Sequence, residues 1–159
     1  TEVAGLSSNL IWAVLMVYGI GMTVGNTFGG WLADRNLEFG IIFALGMLVV
    51  TLLCFYFFSS SAILGTVFFG IVAFFGSTLV PSLQLRLVQV AGDAQTLASA
   101  LNQSALNIAN ASGAAIGGIV VGAGLGYSAP AVAGAGLAAA ACLVWGVTQW
   151  DKKRLARRA

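Results

Sequence analysis

Thr96, Ser99, Gln103, Asn107 and Asn110 recur three or four residues apart, which on an α-helix gathers them within an arc of about 80° at 100° per residue. The stripe offers hydroxyls and carboxamides, groups that donate and accept hydrogen bonds but carry no charge at neutral pH. Its chemistry is therefore recognition, whether of water, a solute or another helix. A second constellation, Gly30, Asp34 and Arg35, closes an apolar run. A carboxylate and a guanidinium at a helix end can pair with groups outside that helix. Catalytic chemistry finds little support. The sequence has no histidine, and CxxC, HExxH, GxSxG and Walker-type motifs are absent, so the common hydrolase, zinc and nucleotide chemistries lack their residues. The sequence implies neither an enzyme nor a bound metal or cofactor.

The elements that position these residues follow from composition. Of the 159 residues 59% are hydrophobic and 8% charged, with mean hydropathy +0.96, too few polar groups to coat a soluble globule. Charges are confined to Glu2, Asp34 to Glu38, Arg86 to Asp93 and Asp151 to Arg158. The gaps between them each exceed the roughly 20 residues that cross a bilayer. Apolar runs and turn signals predict an all-α membrane protein with five transmembrane helices, near 8–28, 39–58, 62–90, 96–122 and 129–150. Pro81 is expected to bend the third. The links at 59–61, 91–95 and 124–128 are short, which makes consecutive helices antiparallel. Cys54 and Cys142 lie within apolar runs and read as small buried hydrophobes.

Orientation comes from the basic residues. Five spans put the termini on opposite sides, and a cytoplasmic C-terminus places Arg35, Arg86 and the tail residues Lys152, Lys153, Arg154, Arg157 and Arg158 all inside. The expected tail, 151–159, suits anionic headgroups of a cell membrane better than nucleic acid. Trp12, Trp31, Trp145, Trp150 and Tyr127 fall mostly near span ends, as an aromatic belt does.

The faces of the helices differ. The second and fifth spans are nearly devoid of polar side chains and can face lipid. The fourth, with its stripe, must meet protein or water, because an unpaired amide in hydrocarbon costs several kcal/mol. Gly21, Gly25 and Gly29 in the first span, and Gly113, Gly117, Gly118 and Gly122 in the fourth, form small-xxx-small ladders suited to close helix packing. No carboxylate, lysine or arginine lies near the middle of a span, so this segment alone does not build a proton relay.

Gly29-Gly30-Trp31-Leu32-Ala33-Asp34-Arg35 resembles the major facilitator superfamily signature G-x-L-A-D-R-x-G-R-[RK]. Gly30, Leu32, Ala33, Asp34 and Arg35 match, while Leu37, Glu38 and Phe39 depart from the glycine and basic residues of the second half. The run from Ala98 through Gln103, Asn107, Asn110, Gly113 and Gly117-Gly118 to Gly124-Leu125-Gly126-Tyr127 resembles the eleventh span and following loop of the sugar-efflux and drug:proton antiporter branch. The resemblance implies spans eight to twelve of a twelve-span carrier, a partial C-terminal six-helix bundle in which residues 1–159 are an incomplete transporter half. It further implies a locking role for Asp34 against a helix of the missing N-terminal half, with Arg35 pairing acids or headgroups.

The function so implied is efflux of small organic molecules across the inner membrane by alternating access, with proton antiport. A membrane scaffold or assembly module, and an inactive truncated fragment, are the competing readings. Thr1 in place of an initiator methionine suits a segment of something longer.

Overall fold

The computed structural model describes residues 10–156, all in helices and the turns between them. Four helices follow in order: α1 (Ile11–Phe58), α2 (Ala62–Ala91), α3 (Gln95–Gly122) and α4 (Ala129–Ala156), with a 3-10 turn at Gly92–Ala94 between α2 and α3.

α1 is helical throughout except at Asn36, whose φ of −157° and ψ of 93° are those of an extended strand. One such residue reverses the chain. Tyr18 and Phe55 both lie against the ring of Phe69, with centroids at 4.8 and 6.0 Å. On a straight helix they would stand about 55 Å apart at 1.5 Å per residue. The two limbs, 11–35 and 37–58, therefore run back along each other with α2 against both. The link expected over 29–38 contracts to a single residue, because Leu32 and Ala33 are buried and keep the first limb helical to its end. Asn36 Oδ1 accepts from the Phe39 N–H at 3.0 Å, which satisfies an otherwise orphaned donor and starts the second limb.

α2 begins at Ser61, whose hydroxyl accepts from the Leu64 N–H at 3.5 Å, and runs continuously through Pro81. The chain turns again at Gly92, with φ 53° and ψ −120°, a conformation that favours glycine. Gln84 of α2 consequently reaches Ser99 and Asn102 of α3.

The core lies between the limbs of α1 and α2, which share the most extensive contact. Ile41, Ala44, Thr78 and Ser82 are essentially inaccessible there. The second limb is thus not a purely lipid-facing element: one face is core, and its polarity pattern is silent because the packing is apolar on both sides. Ala131, Ala135 and Ala138 of α4, spaced at helical intervals, are buried as α4 packs against α1. Elsewhere large apolar side chains stand outward, among them Phe57, Ile63 and Leu143 at 72%, 76% and 74% exposure. That surface suits hydrocarbon and not water. Three helical stretches, Ile11–Phe58, Ala62–Gly122 and Ala129–Asp151, are long and apolar enough to cross a membrane, the first turning back at Asn36 and the second at Gly92.

Candidate functional site

The first limb and α2 set the frame. Gly21, Gly25 and Gly29 approach α2 so closely that an added Cβ would collide with the backbone of Gly70, Phe74 and Thr78 respectively. That approach lets the Thr78 hydroxyl donate to the Gly25 carbonyl at 3.1 Å, besides the Phe74 carbonyl of its own helix at 2.8 Å. The threonines between the glycines are satisfied locally: Thr23 donates to the Gly19 carbonyl at 2.9 Å and Thr27 to the Thr23 carbonyl at 3.0 Å. The second ladder is placed differently. Beyond the backbone of α3 itself, nothing described lies within 4 Å of a Cβ built on Gly113, Gly118 or Gly122, and one on Gly117 meets only Pro130.

α3 is the least covered helix, with Ala98 its one buried residue. The structure divides the stripe in three. Ser99 is half-buried and its hydroxyl accepts from Gln84 Nε2 at 3.1 Å. Thr96, Gln103 and Asn107 are exposed and make no side-chain hydrogen bond among the described residues. Asn110 lines an open cleft of about 550 Å³ bounded by both limbs of α1, by α2, α3 and α4. Tyr18 of the first limb and Ser77 of α2 share the cleft with Asn110, and Leu48, Gly113 and Leu137 are among its apolar walls. A mostly apolar hollow with a few neutral polar groups can orient a small molecule by hydrogen bonds without a charge partner.

Periodicity within α3 selects Asn110 but not its companions. Tyr18 lies one turn before Gly21, where an aromatic residue reads as packing, and its ring does stack on Phe69. Ser77 neighbours Thr78, which packs against the first limb. Only the relative rotation of helices shows that Ser77 turns to the cleft. Asn102 donates an N–H to Gln84 Oε1, yet it sits outside the stripe arc, on the side of α3 turned to α2.

At the other end of the first limb, Leu32 and Ala33 point into the core while Asp34 and Arg35 stand exposed. The Arg35 guanidinium lies 4.3 Å from the centre of the Trp31 ring, a cation–π contact. Asp34 makes no hydrogen bond or ion pair among the described residues. Gly30 faces open space. The tail residues Arg157 and Arg158, and the start of the first expected span, lie outside the described residues. Cys54 and Cys142 are unbridged and half-buried.

The sequence matches the Major Facilitator Superfamily profile over residues 1–159. It is 39% identical to the inner membrane transport protein YdhP of Escherichia coli K12 over 137 residues, covering 84% of this chain and 34% of that protein. It is 36% identical to the uncharacterized MFS-type transporter YfhI of Bacillus subtilis, covering 74% of this chain and 30% of that protein. A probable sugar efflux transporter of Helicobacter pylori is 32% identical, with 79% and 32% covered. The chain thus spans about a third of the length of these curated relatives. No solved structure matches it. With outward apolar surfaces, membrane-length helices and transporter relatives in agreement, this chain belongs to the Major Facilitator Superfamily and is a multi-pass membrane protein.

Proposed function

We propose that this chain supplies the last five spans, eight to twelve, of a secondary transporter that exports small organic molecules by alternating access, with proton entry as the driving exchange. The limbs 11–35 and 37–58 measure about 37 and 33 Å by helical rise, each sufficient for a hydrocarbon core of about 30 Å. α2, α3 and α4 supply the other three spans, with the C-terminus in the cytoplasm beside Arg35 and Arg86.

The observation that carries the reading is the exposed amide face of α3 beside the cleft. In a helix otherwise bathed in hydrocarbon, Gln103 and Asn107 need water or protein as partners. A water-filled route between two transporter halves provides them. Asp34, exposed at the inner end of the first limb without a described partner, is free to lock onto the other half in one state of the cycle. A scaffold accounts for Gly21, Gly25 and Gly29, whose close approach is consumed within the chain, and would satisfy the α3 amides only through a partner protein laid along α3.

The test uses inverted membrane vesicles carrying the full-length protein, energised by an inward-acid pH gradient and offered radiolabelled monosaccharides and fluorescent organic cations. The reading expects accumulation of at least one compound, abolished by a protonophore. Accumulation that survives the protonophore removes the proton coupling; no accumulation across the panel, with the protein inserted, contradicts export of these classes.

A further inference from the structure

We propose that Gln84 is a positioning residue that fixes the rotation of α3 about its own axis, and thereby decides which of its polar side chains face the transport route. The inference rests on the reading of α3 as a pathway helix.

Gln84 uses both ends of its amide on α3: Nε2 donates to Ser99 Oγ at 3.1 Å, and Oε1 accepts from Asn102 Nδ2. Ser99 and Asn102 are three residues apart, about 60° around the helix. A single contact would hold α3 at a distance and leave it free to turn. Two contacts separated around the circumference hold the angle as well. Among the described residues these are the side-chain hydrogen bonds that tie α3 to another helix.

Little else can set that angle. Ala98, next to the clamp, is the one buried residue of α3, and its contacts with α2 and α4 are sparse compared with those between α1 and α2. The preceding turn breaks the helix at Gly92, with φ 53°, so α3 does not continue the axis of α2. The far end leads into Gly124 and Gly126, both with positive φ.

The pinned angle accounts for the division of the stripe. Measured from the direction midway between Ser99 and Asn102, Asn110 lies about 50° round, Gln103 about 70°, Thr96 about 90° and Asn107 about 110°. All four are exposed, and Asn110, the nearest to α2 in angle, is the one that lines the cleft shared with it. Turning α3 by one residue's worth, about 100°, would bring Asn107 to face α2 and carry Asn110 across to the opposite flank of that contact.

The experiment uses the full-length carrier in membrane vesicles, with Cys54 and Cys142 replaced by serine and a single cysteine at position 107 (Asn107→Cys) or 108 (Ile108→Cys). Reaction with a membrane-impermeant maleimide is timed for both. With Gln84 intact, position 107 labels at least fivefold faster than 108. Gln84→Leu, close in volume but without the amide, brings the ratio towards one. Gln84→Glu, which can still engage Ser99 and Asn102, restores it. Asn102→Ala removes one of the two points and is read by the same ratio, so it decides the matter if Gln84→Leu fails to reach the membrane. A ratio unchanged by loss of the clamp overturns the proposal, as does a ratio near one with Gln84 intact. Transport measured in the same vesicles separates the two ideas: a ratio that collapses in a carrier that moves no substrate upholds the positioning role and counts against the transport reading.

Discussion

The hydroxyl of Thr78 donates to the backbone carbonyl of Gly25, 53 residues away in the chain, at 3.1 Å. Neither side chain chemistry nor polarity alone makes that bond. It forms because Gly25 brings two helix backbones closer than any larger residue allows. Gly25→Val should therefore force α2 and the first limb apart, at a cost of about 1–3 kcal/mol for overpacking, with the Thr78 bond lost in addition. Thermal aggregation of the purified carrier in detergent reads this as a markedly lower midpoint. Gly46→Ala is the control, since its Cβ meets nothing within 4 Å. It should be neutral or slightly stabilising, by up to about 1 kcal/mol, through helix propensity.

Asn36 holds the reversal of α1. Replacing it by alanine removes the acceptor of the Phe39 N–H and favours a continuous helix, with an expected loss of about 1 kcal/mol from the cap alone. Asn36→Asp keeps the acceptor and should retain stability. Unfolding in mixed micelles by increasing SDS measures both, and equal midpoints for Asn36→Ala and the parent would remove the cap from the account.

Asp34 tests the inner gate. Asp34→Asn should lower efflux severalfold while membrane insertion, read by quantifying carrier in the membrane fraction, stays unchanged. The side chain is exposed and makes no described contact whose loss would unfold the bundle. Normal transport by the variant would leave the residue without a gating role.

The polar groups of the cleft predict a division of labour. Asn110→Leu and Tyr18→Phe each remove hydrogen-bonding capacity from the hollow without removing its walls, so they should raise KM or shift the preferred substrate and leave the amount of carrier unchanged. Competition among transported compounds measures the shift. A loss of folded protein in place of a KM change would assign Asn110 to packing.

Much of this arrangement is legible in the chain because membrane proteins separate their signals. The apolar runs mark where helices lie, although the first limb continues past 28 to the break at Asn36 and α4 past 150 to Ala156, and the spacing of Gly21, Gly25 and Gly29 gives a packing face that α2 does occupy. The break at Asn36 is harder to see: a polar residue in a charged stretch reads as part of a longer loop, and only the burial of Leu32 and Ala33 shows that helix continues to its edge. The stripe on α3 is visible through its periodicity. Its division is not, because Ser99 faces α2 and Asn110 the cleft only once Gln84 has set the rotation. The core face of the second limb is silent in sequence for a simple reason: apolar packing against protein and apolar exposure to lipid use the same residues.

The central claim, that the polar face of α3 lines a substrate route, is tested most directly by substrate protection. A single cysteine at position 110 (Asn110→Cys) in the full-length carrier, free of Cys54 and Cys142, is labelled with a maleimide in the presence and absence of a compound the carrier transports. The account predicts that saturating substrate slows labelling severalfold, with position 108 unaffected. A labelling rate at position 110 that is indifferent to a demonstrably transported compound would contradict it.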